Sequence, residues 1–92
     1  MFRESCLDCY RKHVGQAIAL FTESALGYES HFWLAIGHLA EAETETINSY
    51  PELAKTTRNY RLQIMDLNKV DLMSLIAMAT EIAEDESDKA VN

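Results

Sequence analysis

SCLDCYRKHVGQAIALFTESALG, residues 5–27, carries Leu7, Tyr10, Val14, Ala17, Phe21 and Ala25 at helical spacing. Apolar residues that recur every three or four positions make one stripe along a helix, which must bury against another element. The spacing predicts a helix over about 5–26. Gly27 follows as a stop, because glycine accepts the left-handed conformation that ends helices. Gly15 falls inside this helix, where close packing against a neighbour is the expected reason.

The same reading extends along the chain. A second helix is expected from Ser30, as N-cap, to Asn48, with Phe32, Trp33, Ile36, Leu39 and Ala40 on its apolar side. Trp33 reads as a core anchor, and Gly37 as another small packing residue. Ser49, Pro51 and Glu52 form a start signal for a third helix over 51–65. Leu53, Thr57, Tyr60 and Ile64 give it an inner face. A fourth helix is expected over 69–84, capped by Asn68 with Asp71 at the third position. Its apolar residues, Leu72, Met73, Leu75, Ile76, Ala79, Ile82 and Ala83, cover more than half its circumference. Such a helix either runs centrally through the bundle or forms half of a subunit contact. No stretch alternates as a strand does. The fold class read from the chain is therefore all-α: a compact bundle of three to four antiparallel helices, expected to self-associate through the fourth helix.

The chain has 92 residues, 48% of them hydrophobic, and only three Gly and one Pro. That length suits one domain with a marginal core, which a metal clip would help. The expected organisation is a helical domain over 1–84 and an acidic, disordered tail over 85–92. The net charge is −7. A general nucleic-acid surface is not expected, since phosphate contacts need a basic footprint. The opening MFRESC lacks the apolar core of a secretion signal, and the greasy run 72–79 is too short to span a bilayer. A cytoplasmic, membrane-free protein is the expectation.

The sharpest chemical signal is Cys6, Cys9 and His13, the only two cysteines and one of three histidines. Their i, i+3, i+7 spacing confines them to a sector roughly 60° wide on one helical face. Thiolate and imidazole are zinc ligands, and a structural site needs four. His38 is taken as the fourth by residue type, with His31, Glu41 and Glu45 as alternatives. A hairpin turning near Tyr28 faces residues 6–13 with about 43–50, so Glu41 or Glu45 lies nearer that level than His38 does. Buried packing cysteines and a redox-active CxxC pair are the competing readings. Redox motifs of that spacing usually begin a helix after a strand. Zinc and iron are not distinguished by this ligand set.

A second signal is the basic cluster of Lys55, Arg58 and Arg61 with Tyr60. Arg58 and Arg61 are i, i+3 neighbours able to fork a phosphate, and Tyr60 could stack on a base. The plain alternative is a solvated face with surface ion pairs. The functional expectation is a non-enzymatic binding or interaction module stapled by structural zinc. Its rivals are an oligomeric protein of phage or bacterial type that sequesters a nucleotide or other phosphate ligand through the basic cluster, and a thiol redox protein.

Overall fold

The computed structural model describes residues 6–91 and consists of α1 (Leu7–Ala25), α2 (Ser30–Thr46), α3 (Pro51–Met65) and α4 (Met73–Val91). No strand occurs among the described residues. The helix boundaries follow from local hydrogen bonding. Cys6 sits just before α1 in an extended conformation, and its sulfur accepts the Cys9 backbone N–H at 3.0 Å. At the other end Gly27 takes φ +114°. The Gly27 N–H then reaches the Ser24 carbonyl at 3.1 Å and the Tyr28 N–H the Glu23 carbonyl at 3.3 Å, which satisfies two of the last free carbonyls of α1.

Three capping expectations are corrected. Ser30 is already helical, and Glu29 precedes it without a side-chain cap. Tyr50, not Ser49, is the cap residue of α3, with Pro51 in the first turn where its missing N–H costs nothing. Asn68 closes α3 rather than opening α4: its N–H bonds the Gln63 carbonyl at 2.9 Å. Leu67 beside it is forced to φ 66°. The cap of α4 is Asp71, whose carboxylate accepts the Met73 N–H at 3.1 Å. The helix therefore starts later than 69. It also continues through Val91, so residues 85–91 are helix where a disordered tail was expected, and Asn92 lies outside the described residues. The Tyr50 hydroxyl donates to Glu86 at 2.5 Å and ties that acidic turn to the start of α3.

The helices form a ring: α1 packs on α2 and α4, and α3 packs on α2 and α4. Inside lie Tyr10, Val14, Ala17, Leu39, Ala42, Leu53, Leu75 and Ala79, all buried. Truncating Leu39, Leu53 or Leu75 to Ala is expected to cost about 2–5 kcal/mol each. The wide apolar surface of α4 is explained by its place between α1 and α3. Leu72, Leu75 and Ala79 are buried, and Ile76, Met78 and Ile82 pack against the core.

Trp33 is not a core anchor. It is 63% exposed. The buried stripe of α2 is Ala35, Ile36, Leu39, Ala42 and Thr46, and Trp33, two residues before Ala35, is turned about 200° away from it. Gly15 and Gly37 are likewise not packing residues, since a Cβ at either would meet no atom within 4 Å. No helix among the described residues is long and apolar enough to cross a membrane.

Candidate metal centre between α1 and α2

His13 lies on α1 between the buried residues Tyr10 and Val14, at the edge of the stripe that faces α2. On α2, His38, Glu41 and Glu45 follow the same i, i+3, i+7 spacing as Cys6, Cys9 and His13 on α1. The two rows run antiparallel. The Cys6 N–H donates to the Glu45 carbonyl at 3.3 Å, and His13 Nδ1 stands 3.1 Å from His38 Nδ1. One ligand atom each from His13, Glu41 and Glu45 falls within 4.8 Å of the others. Glu45 is 3% exposed, so its carboxylate faces the helix pair rather than bulk water.

His38 therefore meets His13 more closely than the hairpin estimate allowed. The pairs His13–His38 and Cys6–Glu45 centre the chain reversal between Ala25 and Leu26 instead of on Tyr28. The positive φ of Gly27 turns the chain that early. His31, an alternative fourth ligand, is remote: its Nδ1 is 2.6 Å from Glu23 Oε2, and its ring stacks on Tyr28. It fastens the turn.

Cys6 and Cys9 are joined to each other in a disulfide. In that state neither sulfur is a thiolate, the form that binds zinc. The expected set of Cys6, Cys9, His13 and His38 is thus divided: His13 meets His38 and also comes together with Glu41 and Glu45, and the sulfurs stand apart as a bonded pair. The disulfide sits at the N-terminus of α1, where Cys6 lines an open cleft of about 540 Å³ with Leu7, Asp8, Arg11, Tyr50, Ala83, Glu86 and Ser87. Arg11 in this cleft is held by Asp8 and donates to Thr80 at 3.3 Å.

The donors, imidazole nitrogen and carboxylate oxygen, are of the kinds that bind a divalent ion. Zinc–nitrogen bonds of about 2.0–2.1 Å set neighbouring ligand atoms about 3.3 Å apart, close to the His13–His38 separation. One imidazole and two carboxylates make three donors, and His38 stands beside His13.

A buried polar link also joins α1 to α3. The Tyr10 hydroxyl and Thr57 Oγ1 are 2.7 Å apart, joining α1 to α3 inside the core. Burial pushes the Tyr10 phenol up to about 12, against a smaller lowering by the Thr57 hydrogen bond. The Tyr50 phenol is also raised to about 12, chiefly by its hydrogen bond to Glu86.

Two members of the basic cluster have partners on other helices. Arg61 donates to Glu43 at 3.3 Å, and the Tyr60 hydroxyl lies 3.1 Å from Ser74 Oγ at the α3–α4 contact. Lys55 and Arg58 are exposed. Two of the four residues are thus engaged in contacts between helices.

No protein-family model, curated protein or solved structure matches this chain.

Proposed function

We propose that this chain is a small non-enzymatic interaction module whose α1–α2 pair is fastened by one structural zinc ion. The ligands in the disulfide form are His13, His38, Glu41 and Glu45. One observation carries the reading: ligand atoms of His13, Glu41 and Glu45, from two helices, lie within 4.8 Å of one another. His38, whose Nδ1 is 3.1 Å from His13 Nδ1, is the proposed fourth ligand. A clip of this kind suits a chain of 92 residues, whose core alone is marginal.

The interaction role rests on the exposed apolar residues. Leu26, Trp33, Leu34 and Leu67 are each more than half exposed. Trp33 and Leu67 line one groove with Ser24, Glu29 and Phe32. Large exposed aromatic groups are typical of contact surfaces.

Zinc titration by calorimetry tests the reading. Wild-type protein is expected to bind one ion per chain. Glu45→Gln and His13→Ala should each weaken binding on the order of tenfold or more, as loss of a ligand requires. Zinc binding that is unchanged in both variants would move the ion elsewhere, and no binding by the wild type would end the proposal.

A further inference from the structure

We infer that the Cys6–Cys9 pair is a thiol–disulfide exchange site, which takes electrons from a peptide dithiol entering the cleft at the N-terminus of α1. The site is separate from the metal centre and does not rest on it.

The bond joins residues only three apart in sequence. A disulfide stabilises a fold chiefly by closing a long loop in the unfolded chain, so one this short contributes little as a staple. The turn it spans is already closed by hydrogen bonds. The Tyr10 N–H donates to the Cys6 carbonyl at 2.9 Å, and the Cys9 N–H to Cys6 Sγ at 3.0 Å.

The two sulfurs have different settings. Cys6 precedes α1 in extended backbone and lines the open cleft of about 540 Å³, whereas Cys9 lies in the first turn and does not line it. Both residues are half-buried. An incoming sulfur therefore meets Cys6. The Cys9 N–H and the free amides of the helix N-terminus favour negative charge on Cys6 Sγ. A sulfur that carries negative charge well is a good leaving group. Cys6 is thus the sulfur that is reached and the sulfur that is released. Around it the cleft presents Arg11 from α1, Tyr50 from the start of α3 and Glu86 from α4. Arg11 donates to Thr80, and Tyr50 donates to Glu86, so the walls of the cleft are tied together. Walls that both donate and accept hydrogen bonds suit the backbone of a peptide.

The exchange balances in two steps. One thiolate of the peptide dithiol attacks Cys6 Sγ; the Cys6–Cys9 bond breaks, and Cys9 departs as a thiolate and takes up a proton. The second peptide thiol, giving up its proton, attacks the peptide sulfur of the mixed disulfide. The peptide leaves as a disulfide, and Cys6 departs as a thiolate and takes up a proton. Two electrons and two protons have passed from the peptide to the Cys6–Cys9 pair. A disulfide arriving at the same cleft reverses both steps.

The test uses glutathione as the probe, with chelator present so that no metal takes part. Wild-type protein is equilibrated across a series of reduced and oxidised glutathione mixtures, and the reduced fraction is read by mass after alkylation. The chain is expected to pass from oxidised to reduced within the series. A purely structural disulfide resists the glutathione pair, so a chain that stays oxidised throughout would overturn the inference. Two variants then identify the entry sulfur. Cys9→Ser, which keeps Cys6, is expected to form a mixed disulfide with oxidised glutathione on the order of tenfold faster than Cys6→Ser, which keeps Cys9. Serine at position 6 is itself a good N-cap, so both variants are expected to keep their helical circular dichroism. Equal rates in the two would overturn the role given to Cys6. Exchange that needs added zinc would overturn the separation from the metal centre.

Discussion

His13 Nδ1 and His38 Nδ1 are 3.1 Å apart across the α1–α2 interface. Among the described residues they are the one place where imidazoles from both helices meet, and one ligand atom of His13 also lies within 4.8 Å of Glu41 and Glu45. Zinc that binds there stabilises only the folded chain. With free zinc at 100 times its dissociation constant the gain is about 2.7 kcal/mol. For a chain of this size that corresponds to a rise in Tm of roughly 10–20 °C. Thermal melts with zinc and with chelator should differ by this amount in the wild type and converge in His38→Ala. Identical melts in the wild type would contradict the clip.

Tyr10 and Thr57 make a second link, from α1 to α3. Tyr10→Phe should cost about 1 kcal/mol, the net value of one hydrogen bond, because Thr57 keeps its bond to the Leu53 carbonyl at 2.7 Å. The Tyr10 phenol rises from 10.0 to about 12 on folding. The folded state therefore holds its proton longer than the unfolded state does. The resulting stability is complete below about pH 10 and is lost as pH rises through about 12. Tyr50 is raised to the same value and contributes in the same window. Denaturant melts across that range should show a shallower alkaline loss in Tyr10→Phe than in the wild type. An unchanged slope would mean that burial of the phenol plays no part in it.

Leu67 carries a left-handed backbone at φ 66° while 86% of its surface is exposed. The conformation costs a leucine about 1–2 kcal/mol. Glycine relieves that strain but loses about 0.5–1 kcal/mol in chain entropy. Leu67→Gly should therefore raise stability by up to about 1.5 kcal/mol. Chemical denaturation checks the sign, and a clear loss would show that the exposed leucine makes contacts worth more than its strain.

Gly15 and Gly37 sit within helices with open space where a Cβ would stand. Each change to Ala should raise stability by about 1 kcal/mol, the helix-propensity difference. Their double variant should show nearly the sum, since no shared contact couples them. A destabilised Gly37→Ala would contradict the open space around that position.

Much of the architecture is written in the apolar spacing. The stripe of Tyr10, Val14 and Ala17 and the pair Leu39 and Leu53 are buried as their periodicity requires. Gly27 and Pro51 mark a helix end and a helix start because each has one dominant backbone role. Trp33 misled because hydrophobicity alone does not say which side of α2 faces inward; the small residues Ala35 and Ala42 define that side. Asn68 misled because two turns compete for it, and the bond to Gln63 closes α3 first. In the candidate site, His13 and His38 were legible by residue type, and Glu41 and Glu45 by their level on α2. The offset of the hairpin was not, because it depends on where Gly27 reverses the chain. Nor could spacing alone tell a bonded Cys6–Cys9 pair from two free thiols.

The most direct test of the central claim is metal content per chain, by elemental analysis of tag-free protein purified without chelator. The account predicts close to one zinc per chain in the wild type and close to none in a His13→Ala/His38→Ala variant that keeps its helical circular dichroism. Wild-type protein that is folded and free of metal, and that takes up none when zinc is supplied, would contradict it.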